Sequence, residues 1–284
     1  MTRPEKILFP KQQLTKRDLA AYYVAMAPYL LPFLRDRPLM MKQYPNGVEG
    51  RFFFRQDAPP HTPAWFATFR GRAASVGHDV DFLVADDVRS LVWLANQAAI
   101  ELHTQLARTA HIDEPDLMVL DLDPGAELGL DAAREVALLA RELLARDGVE
   151  SFAKLSGKRG IHVCVPLAPG QSFARSHDYA GRIAGELARA RPKLVTADYL
   201  RKEARTDRVL VDVAGNARGK VMTAPYSARP TPEATVSMPL PWSRFERGTP
   251  DRRAFTIETV PGWVKEHGDV LGEAMGRGQT LPTA

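Results

Sequence analysis

The sequence has one cysteine, Cys164, among its 284 residues. An internal disulfide is therefore excluded, and so is a zinc site built from several cysteines. No apolar run approaches the roughly 18 residues that a membrane-spanning helix needs, and the first residues lack the apolar segment of a secretory signal. These absences predict a cytoplasmic protein, without a membrane partner.

Internal repeats, low-complexity segments and a Walker A phosphate loop are also missing. The remaining composition is that of a globular protein, with 45% apolar residues and a net charge of +4. A mildly basic chain is compatible with nucleic-acid binding. We expect a single domain over residues 1–284, with a weakly structured tail from about residue 269.

Strand-like and helical patterns alternate along the chain, and some strands follow each other as in hairpins. This arrangement predicts an α/β protein of mixed sheets flanked by helices, rather than a regular parallel array. Thr15 is predicted to cap a helix that Pro28 and Pro32 end. The segment DLMVLDLD and the segment GIHVCVPLA are predicted strands, and strand is favoured for the ambiguous IELHTQLA.

Two carboxylates, Asp121 and Asp123, stand two residues apart at the end of the apolar strand VLDLDPG. Side chains at i and i+2 of a strand point to the same face, so the two acids lie side by side. Their repulsion is relieved by a divalent cation such as Mg²⁺ or Mn²⁺, which prefers oxygen ligands. Asp212 ends a second apolar strand and is a candidate third ligand. The alternative is that Asp123 begins a solvated turn and Asp212 is an edge-strand acid.

The turn Ser156–Gly160, with sequence SGKRG, combines a hydroxyl, backbone amides and the cations Lys158 and Arg159. Such a turn can hold phosphate groups. His162 follows on a strand and is a candidate contact to a triphosphate. The alternative for His162 is an ordinary half-buried strand histidine.

The segment NARGKVMTAPYSAR carries Arg218, Lys220 and Arg229 among polar donors. Basic and polar groups at this density suit a phosphate-rich ligand. The alternative is a solvated basic loop.

The segment GRFFFRQ places three phenylalanines between Arg51 and Arg55. Three consecutive side chains of a strand cannot share one face. Aromatic side chains exposed beside Arg51 and Arg55 are therefore candidates for stacking on bases, and the two arginines are candidate DNA contacts. The alternative is a strand buried on both faces.

These motifs together resemble the polymerase domain of bacterial non-homologous end-joining DNA ligases (ligase D), within the archaeo-eukaryotic primase superfamily. The resemblance rests on LDLDPG, KLSGKRGIHVCVPL and DVAGNARGKVMTAPYSARP, in that order, with weaker matches at LTKRDLAAYY, GRFFFRQDAPPHTP, ELH and VSMPLPW. It extends over roughly residues 5 to 265 and implies a primase-like polymerase fold.

The resemblance also implies roles for individual residues. The catalytic, metal-binding carboxylates are Asp121, Asp123 and Asp212, with His103 at the metal site. The nucleotide is held by Ser156, Arg159, His162 and Arg229. Lys16 engages the 5′-phosphate of the downstream strand, and Phe53 and Phe54 stack near the template base.

The implied activity is template-dependent nucleotidyl transfer, which fills gaps or extends 3′ ends at DNA breaks. The implied cofactors are two divalent cations, Mn²⁺ or Mg²⁺, and ribonucleotides are the expected substrates.

The expected partners are DNA with a gap, nick or double-strand break, nucleoside triphosphates, and a DNA ligase and a DNA-end-binding protein acting in trans near the bacterial nucleoid. The chain has no adenylating Lys-x-Asp-Gly motif, so a stand-alone polymerase or an excised domain is expected. A metal-dependent nuclease, a non-catalytic nucleic-acid-binding module and a primase remain alternatives.

Overall fold

The structure is a computed structural model that describes residues 1–73, 77–198 and 206–282. The strands are β1 (Ile7–Phe9), β2 (Leu14–Thr15), β3 (Leu39–Gln43), β4 (Phe53–Arg55), β5 (Thr68–Ala73), β6 (His78–Leu83), β7 (Ala99–Gln105), β8 (Leu117–Pro124), β9 (Phe152–Leu155), β10 (Ile161–Pro166), β11 (Val195–Thr196), β12 (Val209–Asp212), β13 (Val221–Thr223) and β14 (Pro239–Leu240). The α-helices are α1 (Lys16–Leu30), α2 (Val88–Asn96), α3 (Leu130–Arg146), α4 (Phe173–Ala190), α5 (Trp242–Glu246), α6 (Val260–His267) and α7 (Val270–Met275). Mixed sheets with flanking helices confirm the predicted fold class.

The chain forms two compact units. Unit 1 consists of Met1–Ala110, Val221–Ser237 and Arg252–Asp269, and unit 2 consists of His111–Lys220, Met238–Asp251 and Val270–Ala284. Each unit contains one six-stranded sheet in the described part of the chain. The predicted single catalytic domain over 1–284 stays a prediction.

The sheet of unit 1 has the order β13-β7-β3-β6-β5, and β4 pairs with β3. Helix α1 of this unit begins where predicted, because the Thr15 hydroxyl and the Asp18 side chain form a capping box. The helix continues through Pro28 to Leu30. The prediction that Pro28 ends the helix was therefore wrong, since a proline in the last turn removes only one backbone hydrogen bond.

The sheet of unit 2 has the order β11-β12-β8-β10-β9-β14, and only the β11–β12 pair is parallel within the described residues. Helix α3 packs on β8 and β10, and α4 packs on β8 and β11. Leu120 and Leu122 of β8 are fully buried, which anchors the strand that carries the two predicted acids.

The segment after residue 269, predicted to be weakly structured, contains helix α7. Its last described residues are also hydrogen-bonded to the rest of unit 2. Gln279 donates its side-chain amide to the Glu150 carbonyl, and Leu281 donates its backbone N–H to the Gln171 side chain. Residues 283–284 of that tail lie outside the described residues. No helix within the described ranges is long and apolar enough to cross a membrane.

Candidate active site

A row of polar side chains crosses four neighbouring strands in unit 2. Asp121 of β8 pairs directly with Asp212 of β12 on one side and with His162 of β10 on the other. His162 in turn pairs with Lys154 of β9. Residues directly opposite each other on paired strands share a face of the sheet. The register therefore assembles an ordered row, Lys154–His162–Asp121–Asp212, on one face.

Asp123 lies two residues beyond Asp121 on the same strand and therefore on the same face. Its side chain is exposed, and the side chains of Asp121 and Asp212 are partly exposed. The predicted side-by-side placement of Asp121 and Asp123 on β8 is confirmed, and the strand pairing adds Asp212 directly beside Asp121. This part of unit 2 concentrates three negative groups on one surface.

Two contacts orient the acids. The Nε2 atom of His162 lies 3.3 Å from Oδ1 of Asp121, and Oδ1 of Asp212 accepts the backbone N–H of Ala214 at 2.8 Å. His162 is 3% exposed, so it is a buried neighbour of the acidic row. The sequence had suggested a triphosphate contact for this residue, and that role stays a prediction.

The carboxylates have the donor chemistry of a site for hard divalent cations. Across residues 1–73, 77–198 and 206–282, however, histidine, cysteine, aspartate and glutamate side chains form no group of three or more that could hold a metal ion as they stand. The strand register brings the backbones of the three aspartates together. Cation binding would then require rotation of the side chains. The metal roles of Asp121, Asp123, Asp212 and His103 stay predictions.

The cationic turn Ser156–Gly160 is held by its own serine. The Ser156 hydroxyl oxygen accepts the backbone N–H groups of Gly160 at 3.0 Å and Lys158 at 3.3 Å, and Gly157 has a positive φ of 76°. The exposed Arg159 donates to the carbonyl of Gly125 at 2.5 Å and to that of Pro124 at 3.3 Å. The guanidinium of Arg159 is thereby held next to the loop that follows Asp123.

Gly160 is the point of closest approach between this turn and the acidic strand. A Cβ atom at Gly160 would lie 2.5 Å from the Leu122 carbonyl oxygen and 3.0 Å from Oδ1 of Asp123. Real Cβ atoms do not approach a backbone oxygen that closely, so only glycine fits. The absence of a side chain at residue 160 allows the cationic turn to lie against Asp123.

The part of the basic segment that belongs to unit 2, residues 216–220, contains both surface cations and a buried structural side chain. Arg218 forms an ion pair with Asp113, and Lys220 is exposed. Asn216 is 1% exposed and binds the backbone of Val119 twice, accepting from its N–H at 2.8 Å and donating to its carbonyl at 2.7 Å. Asn216 thus replaces a strand partner for β8 and stabilises the strand instead of presenting its amide to a ligand.

In unit 1, His103 of β7 lies in a buried polar group that the sequence alone did not reveal. Its Nε2 is 2.9 Å from Oε2 of Glu101, and Glu101 is fully buried. The pKa of His103 is lowered to about 4, chiefly by burial and further by Arg229, against the raising effect of the Glu101 hydrogen bond. The i, i+2 spacing of Glu101 and His103 on a strand is the signal that could have indicated this pairing.

The three phenylalanines of GRFFFRQ are all exposed, with exposed fractions of 52%, 53% and 47% for Phe52, Phe53 and Phe54. This rejects the alternative of a strand buried on both faces. The Lys42 ammonium lies 5.4 Å from the ring of Phe52 and 5.8 Å from that of Phe54. Phe54 also meets the ring of His103 edge-on, with ring centroids 6.2 Å apart. An exposed aromatic patch therefore adjoins His103.

The two arginines that flank this patch differ in their surroundings. Arg51 is exposed, whereas Nε of Arg55 donates to the Gln43 side chain at 2.5 Å. Their predicted DNA contacts stay predictions.

Lys16 lies at the first position of α1 and is 7% exposed. Its ammonium donates to the Thr2 carbonyl at 2.9 Å. The pKa of Lys16 is lowered by burial and by the neighbouring cations Lys6 and Arg3. Three cations close to each other repel, and an anion such as a phosphate would relieve that repulsion.

Sequence comparison connects the chain to one group of proteins. Residues 15–271 match the family described as LigD, primase-polymerase domain. The chain is 32% identical over 273 residues to the multifunctional non-homologous end joining protein LigD of Mycolicibacterium smegmatis, covering 95% of this chain and 35% of that protein. It is 32% identical over 269 residues to the bifunctional non-homologous end joining protein LigD of Bacillus subtilis, covering 94% of this chain and 42% of that protein. The chain therefore spans about a third to two-fifths of the length of these relatives.

Comparison with solved structures leads to the same family as the sequence comparison. The polymerase domain of Mycobacterium tuberculosis ligase D, solved in complex with DNA, matches with a TM-score of 0.90 and 29% sequence identity, covering 98% of both chains. The fold and the family match define the class of protein as a primase-polymerase domain. Within that class, the chain belongs to the LigD primase-polymerase domain family.

Proposed function

We propose that the chain adds nucleotides to the 3′ end of a DNA strand at a gap, nick or double-strand break, directed by the opposite strand. The observation that carries the proposal is the face of unit 2 on which Asp121, Asp123 and Asp212 lie beside a cationic turn. The family match over residues 15–271 supports the same reaction. DNA as the substrate is further supported by the similar domain that was solved with DNA.

In the proposed reaction, the primer 3′-hydroxyl oxygen attacks the α-phosphorus of a nucleoside triphosphate, and pyrophosphate leaves. Asp121, Asp123 and Asp212 would hold two divalent cations, Mn²⁺ or Mg²⁺. Such ions, when bound, lower the pKa of the attacking hydroxyl and neutralise the leaving phosphates. The preference of hard divalent cations for carboxylate oxygens and the mutual repulsion of the adjacent carboxylates support this role.

The positive groups of unit 2 serve the triphosphate. Lys158 and Arg159 extend from a turn whose geometry Ser156 holds, and the Arg159 guanidinium is held beside the loop after Asp123. Positioning and charge neutralisation are most of what phosphoryl transfer requires from a protein. The resemblance assigns Arg229 and His103 of unit 1 to the same reaction. Arg218 and Lys220 of unit 2 are assigned to it by the basic and polar groups of their segment.

Ribonucleotides are the proposed substrates, and a DNA ligase and a DNA-end-binding protein are the proposed partners. The substrate choice comes from the resemblance. The partners are supported by the relatives' role in non-homologous end joining.

The direct test is extension of a primer in a gapped duplex with a 5′-phosphate, with Mn²⁺ or Mg²⁺ and with each ribo- or deoxyribonucleotide supplied separately. We expect products longer by one or more nucleotides, only when the nucleotide and the cation are both present. Shortened strands would instead identify a nuclease, and metal-independent binding without any new product would identify a binding module. Products formed without a primer would identify a primase.

Replacing Lys16 with alanine is expected to weaken binding to gapped DNA that carries a 5′-phosphate. A hydrogen bond to a charged group contributes about 1.5–3 kcal/mol, so the dissociation constant should rise on the order of tenfold or more. The measurement is a titration of labelled DNA with and without the 5′-phosphate. The matched control is alanine at the exposed Lys265 of α6, which should leave both affinities unchanged. An equal loss on both DNA molecules would reject the phosphate role of Lys16.

A further inference from the structure

A buried carboxylate, Glu101, lies under the aromatic patch of unit 1. Its Oε2 atom is 2.9 Å from Nε2 of His103 and 3.0 Å from the ammonium of Lys42. The same ammonium lies over the rings of Phe52 and Phe54. Through Lys42, Glu101 therefore connects His103 to Phe52 and Phe54, and Phe54 is one of the two aromatic side chains predicted to stack near the template base.

The Glu101 contact determines which nitrogen of His103 carries a proton. An ionised carboxylate only accepts hydrogen bonds, and the neighbouring Lys42 ammonium favours the ionised form. A nitrogen 2.9 Å from that oxygen must donate to it. The hydrogen of the neutral His103 ring is therefore on Nε2, and the lone pair is on Nδ1.

The side chain on the opposite side of the ring suits the same tautomer. Nδ1 of His103 is 3.4 Å from the hydroxyl oxygen of Thr223, its cross-strand neighbour on β13. That oxygen accepts a hydrogen bond from the Arg229 guanidinium, which has donors only. A hydroxyl has one hydrogen and two lone pairs, so the Thr223 oxygen can accept from Arg229 while it donates its hydrogen to Nδ1, the acceptor nitrogen of an Nε2–H ring.

We propose that Arg229, Thr223, His103 and Glu101 form a hydrogen-bond chain of fixed direction that holds His103 in the Nε2–H tautomer. The chain begins at a side chain that can only donate and ends at one that can only accept. Thr223 and Glu101 are thus positioning residues for His103. The nitrogen offered to any ligand is Nδ1, and that ligand takes the place of the Thr223 hydroxyl.

This inference adds residues to the proposed reaction, and its consequence for nucleotide addition rests on that proposed function. A histidine that serves a metal site is commonly held by a carboxylate on its other nitrogen, and removal of such a partner costs about 10–100-fold in activity or affinity. Glu101 is such a carboxylate partner, because it binds Nε2 of His103 and leaves Nδ1 to bind the ligand. The tautomer itself can be measured without any reaction.

The first test is nitrogen NMR of the histidine side chains in the intact protein at neutral pH. His103→Gln identifies the His103 signals among those of the seven histidines. We expect a protonated Nε2 and an unprotonated Nδ1 in the unmodified protein. A protonated Nδ1, with Nε2 either bare or protonated, overturns the proposal, and this measurement requires no variant at Glu101 to fold.

The second test changes the two side chains that hydrogen-bond to the His103 ring. Glu101→Gln offers an amide donor to Nε2, and Thr223→Val removes the hydroxyl that donates to Nδ1. We expect a measurable population of the Nδ1–H tautomer in Glu101→Gln and a larger one in the double variant. Thr223→Ser keeps the hydroxyl and should keep the Nε2–H tautomer. An unchanged tautomer in the double variant would show that these residues do not determine it.

The third test follows nucleotide addition in the same proteins. We expect Glu101→Gln and Thr223→Val to lower kcat about 10–100-fold with a smaller effect on KM, while Thr223→Ser and the exposed control Glu49→Gln match the unmodified protein. A shifted tautomer with unchanged kcat would overturn the positioning role of Thr223 and Glu101 in catalysis, although the hydrogen-bond chain itself would be confirmed. Absence of nucleotide addition in the unmodified protein would instead overturn the proposed function, whatever the NMR result.

Discussion

Replacing Asp121 with asparagine is expected to reduce nucleotide addition by at least about a thousandfold, which corresponds to roughly 4 kcal/mol in the activation barrier. Asparagine has the same shape as aspartate but lacks the charge that a divalent cation requires. The same loss is expected for Asp123→Asn, because both carboxylates lie on one face of β8. Primer extension under single-turnover conditions measures the effect.

The fold is expected to survive these substitutions. Asp121 and Asp212 are direct cross-strand neighbours, and removing one of two adjacent like charges lowers their repulsion. The thermal unfolding midpoint should therefore stay constant or rise slightly. The control Asp178→Asn, at an exposed position of α4, should keep full activity. Near-normal extension by folded Asp121→Asn or Asp123→Asn would reject the two-metal proposal.

Replacing Gly160 with alanine is expected to destabilise the protein by about 1–3 kcal/mol, the usual range for an atom forced into a packed site. The new Cβ would lie 2.5 Å from the Leu122 carbonyl oxygen, so either β8 or the cationic turn has to move. The activity of the folded protein should also fall, because the turn that carries Arg159 is displaced from Asp123. Chemical denaturation measures the change in the free energy of unfolding.

The control for Gly160 is a second glycine-to-alanine substitution in the same unit. Gly181 lies inside α4, and a Cβ there meets no atom within 4 Å. Alanine in a helix interior is favoured over glycine by up to about 1 kcal/mol, so Gly181→Ala should stabilise the protein and leave activity unchanged. Equal effects of the two substitutions would contradict the steric role of Gly160.

Local patterns in the sequence were sufficient for much of the fold and for part of the candidate site. Thr15 as a helix cap, β8 and β10 as strands, and Asp121 beside Asp123 all follow from geometry within a few residues. Helix α1 shows the limit of such patterns. Pro28 is a helix breaker in isolation, yet it is accommodated where the helix is about to end.

Roles that depend on distant residues could not be predicted from local patterns. Asn216, the first residue of NARGKVMTAPYSAR, was interpreted as one of the polar donors of a phosphate-binding stretch. Its side chain instead binds the backbone of Val119, 97 residues away in the sequence. Glu101 was read only as part of the motif ELH, and its partnership with Lys42 requires the β3–β7 pairing. The first contact exists because the short helical turn Ala214–Asn216 packs against β8, and the second because β3 and β7 pair in one register.

The sequence by itself determined the family, the placement of Asp121 and Asp123 on one face, and the cationic composition of the turn at Ser156. Strand periodicity and motif order are properties of short segments, and they need no tertiary information. Only the tertiary structure decided that Asp212 and His162 flank Asp121, that Phe52, Phe53 and Phe54 are exposed, and that Thr223 and Glu101 enclose His103. Strand register and burial depend on the packing of residues far apart in the chain, because a shift of one residue would turn every side chain to the opposite face.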